Sequence, residues 1–161
     1  MTVKDQEFTA EQMHFSVTDP TLVNKVIKYT VRGHDSEGKF ETLRRFNEFF
    51  TLREVLCQRW PGCYVPCIPE KSTVNIDVSN SDPRSWKISG NTDGAFVEER
   101  RALLERFLRE LARYDFIVES KEFKIFSRGA GEIDETLKRL PKQTAKALLE
   151  KYRLSFKIDE D

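Results

Sequence analysis

Hydrophobic and polar residues alternate first around Phe15 and Val17, and Asp19-Pro20 then reads as the turn that ends a first strand. From Asn24 to Arg32, Val26, Lys28, Thr30 and Arg32 interleave with Ile27, Tyr29 and Val31, the period of a strand with one buried face. Gly33 to Gly38 is turn-rich, and Lys39 to Arg45 predicts the return strand of a hairpin. The period then changes. Phe49, Leu52, Leu56 and Trp60 fall at helical spacing behind Asn47, a good N-cap residue, and Trp60-Pro61-Gly62 stops the helix near Arg59. A second helix is predicted over about 96–114, with Leu103, Leu104, Phe107, Leu108 and Leu111 as its apolar stripe. Lys121 to Ser127 extends the helical layer, and Gly129-Ala130-Gly131 marks its end. Two more helical patterns, Glu132 to Leu140 and Lys142 to Phe156, flank Pro141. The expected fold class is α+β: a three-stranded antiparallel meander packed on a helical subdomain, with a C-terminal helical extension.

Between the first two helices lies Val65-Pro66-Cys67-Ile68-Pro69-Glu70-Lys71, whose prolines at i and i+3 favour a stiff, extended backbone. Residues 72–95 are rich in Ser, Asn, Asp and Gly, yet Val74, Ile76, Val78, Trp86 and Ile88 are scattered through them. A loop of that length in a small domain is functional or disordered. Val74, Ile76 and Val78 alternate, as a short strand or an interaction edge would.

Composition narrows the function classes. The chain has 161 residues, enough for one domain and an appendage. Its 27 basic and 27 acidic residues cancel, so no broad field draws it to nucleic acid and any anion recognition has to be local. The N-terminal stretch carries acids without an apolar run, and no segment is long and apolar enough to span a bilayer, which predicts a cytoplasmic protein. Cys57, Cys63 and Cys67 are an odd number at spacings unlike a zinc site, so reduced structural thiols and no metal are expected. There is no Ser-His-Asp or Cys-His set and no glycine-rich phosphate loop after a strand. Neither an enzyme nor a cofactor is expected.

The candidate chemistry sits where the strand pattern gives way to the helix pattern, at Leu43-Arg44-Arg45-Phe46-Asn47-Glu48-Phe49. An arginine there lies beside the free amides of a helix N-terminus, where the backbone already favours an anion such as phosphate. The alternative is that Arg44 and Arg45 are solvated or paired with Glu41 and Glu48.

Three motifs in order, Arg-Arg-Phe-x-Glu-Phe, Pro-x-x-Pro-x-Lys and the Arg100 that opens a long helix in Glu98-Glu99-Arg100-Arg101-Ala102-Leu103-Leu104, resemble a phox-homology (PX) domain of the sorting nexin type. The resemblance covers about Phe15 to Phe126. It implies residues 1–12 as a polar lead-in, 13–128 as the PX domain and 129–161 as a helical extension or linker. It further implies phosphatidylinositol 3-phosphate as the ligand, bound between sheet and helices without a cofactor. Arg45 would grip the 3-phosphate, Phe46 would lie against the inositol ring, Lys71 would meet the 1-phosphate and Arg100 would bond the free hydroxyls. The family more often has tyrosine at the Phe46 position. Arg44, alternating to the opposite face of its strand, is expected to matter less to the lipid.

The partners so implied are a membrane carrying that lipid, trafficking-complex proteins, and dimerisation through regions beyond this chain; the location implied is peripheral, on early endosomes. Some members of the family bind proteins instead of lipid, and this is the alternative function. In the long loop, Lys71, Arg84 and Lys87 are balanced by Asp77, Asp82 and Asp93, so apolar insertion has to supply membrane affinity; Trp86 and Ile88 are the expected inserters. The C-terminal helix, with Ala145, Leu148, Leu149 and Tyr152 on one face, reads as a connector, a second membrane or partner contact, or an element packed on its own domain.

Overall fold

Strand β1 (Ser16–Val23) pairs antiparallel with β2 (Val26–Asp35), and β2 with β3 (Gly38–Arg45), in the order β1-β2-β3. In this computed structural model residues 15–69 and 94–156 are described in full, and 87–88 and 91–92 by their backbone. The meander thus agrees with the alternation in the sequence, with one correction. Asp19-Pro20 does not end β1 but lies within it, at a register shift between Thr18 and Thr21, with Asp19 at φ 52°. An irregularity of this kind adds twist without ending the ladder.

Val17, Tyr29, Val31 and Phe40 form the buried face of the sheet. On the other face Arg32 bridges to Glu41 opposite it, at 2.7 Å. Helix α1 (Phe46–Arg59) follows β3 without a linker and buries Phe49, Leu52, Val55 and Leu56. The two-residue strands β4 (Lys87–Ile88) and β5 (Asn91–Thr92) make a small hairpin ahead of α2 (Gly94–Leu111). The buried stripe of α2 is Val97, Arg100, Leu104, Phe107, Leu108 and Leu111. Leu103, assigned to the stripe from sequence, is instead 39% exposed beside Tyr64 and Ile68. A charged residue takes the turn below Leu104, which a purely apolar count does not anticipate.

The layer is completed by α3 (Asp115–Val118), α4 (Lys121–Arg128) and α5 (Asp134–Lys138), and α6 (Ala145–Phe156) lies outside it. Phe126 meets Phe49 edge to face at 5.0 Å, and Phe15 meets Phe40 and Phe123 at 5.9 and 6.0 Å. Ile133 and Leu137, beyond the Gly129-Ala130-Gly131 run, are as buried as these aromatics and belong to the same core. Helix α6 buries no residue fully, but Tyr152 stacks near Trp60 and Phe156 meets Phe116 at 5.0 Å. Lys151 places its Nζ 3.5 Å from the centre of the Trp60 ring and donates to the Arg59 carbonyl. Cys57, Cys63 and Cys67 are free thiols.

Candidate phosphate-binding site

Arg45, not Asn47, caps α1: it has extended φ and ψ (−87°, 162°) and the helix starts at Phe46. The reason lies at Glu48, whose Oε1 accepts the Arg45 backbone N–H at 3.0 Å while Oε2 accepts the Ile133 N–H at 3.2 Å. A carboxylate in the first turn suits the positive end of the helix and here ties it to the segment before α5.

Alternation along β3 sends the two arginines to opposite sides. Arg44 is 1% exposed, a guanidinium inside the core. It donates from Nε to the Phe126 carbonyl (2.7 Å), from Nη1 to those of Leu43 and Gly131 (3.1 Å each) and from Nη2 to that of Gly129, and its Nη1 lies 3.8 Å from Glu48. Two of these acceptors lie on glycines that the backbone requires. Gly131 has φ 68°, and a Cβ on Gly129 would sit 2.4 Å from the Ile125 carbonyl oxygen. Burial disfavours the charge and lowers the Arg44 pKa, and Glu48 offsets only part of that effect.

Arg45 keeps 29% of its side chain exposed and donates from Nη2 to Asp134 Oδ2 at 3.0 Å. The other oxygen, Oδ1, receives Thr51 Oγ1 at 2.7 Å and Asn47 Nδ2 at 3.2 Å. Burial alone would raise the Asp134 carboxyl, but the bonds from Thr51 and Arg45 outweigh it and hold its pKa below the usual range. Asp134 is therefore ionised and fixed beside a partly open guanidinium.

Arg100 reaches the same junction from α2. It is 7% exposed, with its guanidinium carbon 4.0 Å from the centre of the Phe46 ring and 4.8 Å from that of Phe96. Burial lowers its pKa, opposed by Tyr29, whose own pKa burial pushes up to about 12. Of the residues named from sequence, Phe46 and Arg100 are brought into contact, the guanidinium lying over the ring, while Arg45, next to Phe46 in the chain, turns to Asp134. Lys71 and Trp86 lie outside the described residues, as does the 74–78 alternation; Ile88 is described only as backbone in β4. Asp134 and Phe96 were not named. Phe96, four residues before Arg100, was legible from helical spacing; Asp134, 89 residues from its partner, carried no signal.

The PX domain family model matches residues 32–127, more than half of the chain. The chain belongs to the PX domain family. It is similar to vacuolar protein sorting-associated protein vps5 of Schizosaccharomyces pombe, at 30% identity over 123 residues, covering 70% of this chain and 19% of that one. Human sorting nexin-7 is 27% identical over 128 residues (77% and 30% covered), and human sorting nexin-4 is 35% identical over 96 (58% and 19%). The chain spans less than a third of the length of each of these relatives. An X-ray structure of a designed CISK-PX domain superposes with a TM-score of 0.55 at 20% identity, covering 71% of this chain and 97% of that one, a likeness of fold.

Proposed function

We propose that this chain is a phosphoinositide-binding, membrane-targeting module that recognises phosphatidylinositol 3-phosphate on endosomal membranes and serves protein sorting. The observation that carries this reading is the Arg100–Phe46 stack at the start of α1, directly after the partly exposed Arg45 in the chain. A partly exposed guanidinium offers a fork of donors matched to phosphate oxygens, and the α1 N-terminus adds its own positive field. Arg100, held on an aromatic face, is a donor for hydroxyls at a fixed place. Lys71 is the remaining basic group of the site, for the 1-phosphate, and Trp86 and Ile88 are the residues that enter the bilayer. The relatives named for sorting supply the process.

The test is flotation with vesicles carrying each of the seven phosphoinositides in turn, using wild type and Arg45→Ala. Wild type is expected to bind vesicles containing phosphatidylinositol 3-phosphate, and the variant to lose at least 10-fold to 100-fold in affinity with its melting temperature retained. Equal binding by the two proteins overturns the site.

A further inference from the structure

Phosphate recognition at Arg45 takes place beside two anions that the chain supplies itself. Asp134 is bonded directly to Arg45, and Glu132, exposed on the preceding turn, also acts on that guanidinium through space. Neither falls within residues 32–127, the part that matches the family. Asp134 is not a mobile side chain that a ligand can displace at little cost. Three donors hold it, both oxygens are engaged, and its backbone follows Ile133, which is 2% exposed and locked in the core. Any headgroup that Arg45 grips therefore shares that guanidinium with a fixed carboxylate.

We propose that Asp134, assisted by Glu132, is a specificity-determining residue that restricts this site to inositol lipids of low charge, accepting one ring phosphate and disfavouring two or three. The proposal rests on the reading of Arg45 as the phosphate-gripping residue. The physical basis is additive repulsion. Each ring phosphate carries about −1.5 to −2 charges at neutral pH, so the work done against a fixed anion grows with the number of phosphates. A contact that merely buttressed Arg45 would act equally on every headgroup. Discrimination by an unfavourable element, rather than by one more favourable contact, is a general route to specificity.

Asp134→Asn removes the charge and keeps the shape. A side-chain amide presents one acceptor and one donor edge; Thr51 is able to donate or accept, and Asn47 to turn its own amide, so the cluster remains bonded. Glu132→Gln removes the second charge at an exposed position where folding is not at stake. Affinities are measured with vesicles of neutral lipid carrying phosphatidylinositol, its 3-phosphate, its 3,5-bisphosphate or its 3,4,5-trisphosphate, at low and at high salt. Asp134→Asn is expected to tighten binding by about threefold for the monophosphate and about tenfold or more for the bis- and trisphosphates, with the difference shrinking in high salt. Glu132→Gln is expected to give the same order with smaller steps.

Equal change, or equal loss, across the headgroups in both variants overturns the inference and leaves Asp134 as a buttress. If Arg45→Ala binds every vesicle as wild type does, the site assignment itself has failed, a result distinct from an unchanged headgroup preference with Arg45 essential. If Asp134→Asn melts early, the Glu132→Gln series alone decides.

Discussion

Arg44 and Arg45 are chemically identical neighbours, and the structure gives them opposite fates. The Arg44 guanidinium is inside the core, with carbonyls of residues 126, 129 and 131 and the Glu48 carboxylate around it. Removing it leaves those carbonyls without that donor and the buried Glu48 carboxylate without its cationic neighbour, a cost of about 3 kcal/mol or more. Arg44→Ala is expected to lower the melting temperature by about 10 °C, or to prevent folding, as read by thermal denaturation. Arg44→Lys is expected to recover little, because an ammonium lacks the planar fork that reaches three carbonyls. The adjacent Arg45→Ala, at a part-exposed position, is expected to leave the melting temperature within a few degrees of wild type. Alternation along the strand separated the two residues on the page of the sequence. It did not show that the second face was already full, because the acceptors lie more than 80 residues away.

At the level of elements, periodic segments were legible and those of two to four residues were not. Helices α1 and α2 fall within a few residues of their sequence readings, since an apolar stripe over three or more turns leaves little choice, and the eight-residue α4 matches its reading as well. The four-residue α3 and the two-residue strands β4 and β5 carry no period to read. Helix α5, five residues long, lies inside the helical pattern read from Glu132 to Leu140, and Ile133 and Leu137, four apart, mark its buried side. Leu137→Ala is expected to cost about 3 kcal/mol in a denaturant titration, the usual penalty for emptying a packed leucine site. Leu149→Ala on α6, where the side chain is 63% exposed, is expected to change stability by no more than about 0.5 kcal/mol. Helix α6 meets the core through Tyr152 and Phe156, not through Leu149. The Gly129-Ala130-Gly131 run thus has a role beyond punctuation: it is the turn whose carbonyls Arg44 closes.

Across the whole molecule, carboxylates join distant elements. The β2–β3 hairpin is held to α4 by Asp35, which pairs with Lys124 at 2.9 Å and with Arg128, while Glu119 accepts both the N–H and the hydroxyl of Ser36. Burial would raise the Asp35 and Glu119 carboxyls, but bonds from Arg128 and Lys124 to the first, and from Ser36 and Lys124 to the second, hold both below the usual range. Glu122 is lowered in the same way, its burial outweighed by Arg59. With Asp134 these groups have folded pKa values below their unfolded ones, so the unfolded chain takes up more protons as pH falls. The stability they contribute is present above about pH 4.5 and is lost progressively below it. Denaturant midpoints measured between pH 7 and pH 3 are expected to fall steeply only below about pH 4.5, and Asp35→Asn to flatten that fall.

The Arg44 clamp also has a bearing on how the protein is made. Three of its four carbonyl acceptors follow it by 82 to 87 residues, and a ribosome adding about 5 to 20 residues per second takes roughly 4 to 17 seconds to deliver them. For most of that interval the sheet and α1 have been synthesised, yet Arg44 has only the Leu43 carbonyl among its four acceptors, Arg100 arrives only midway, and Asp134 last of all. The nascent chain therefore passes those seconds with two neighbouring guanidinium groups short of most of their partners, and the site closes when the last of its residues has left the exit tunnel.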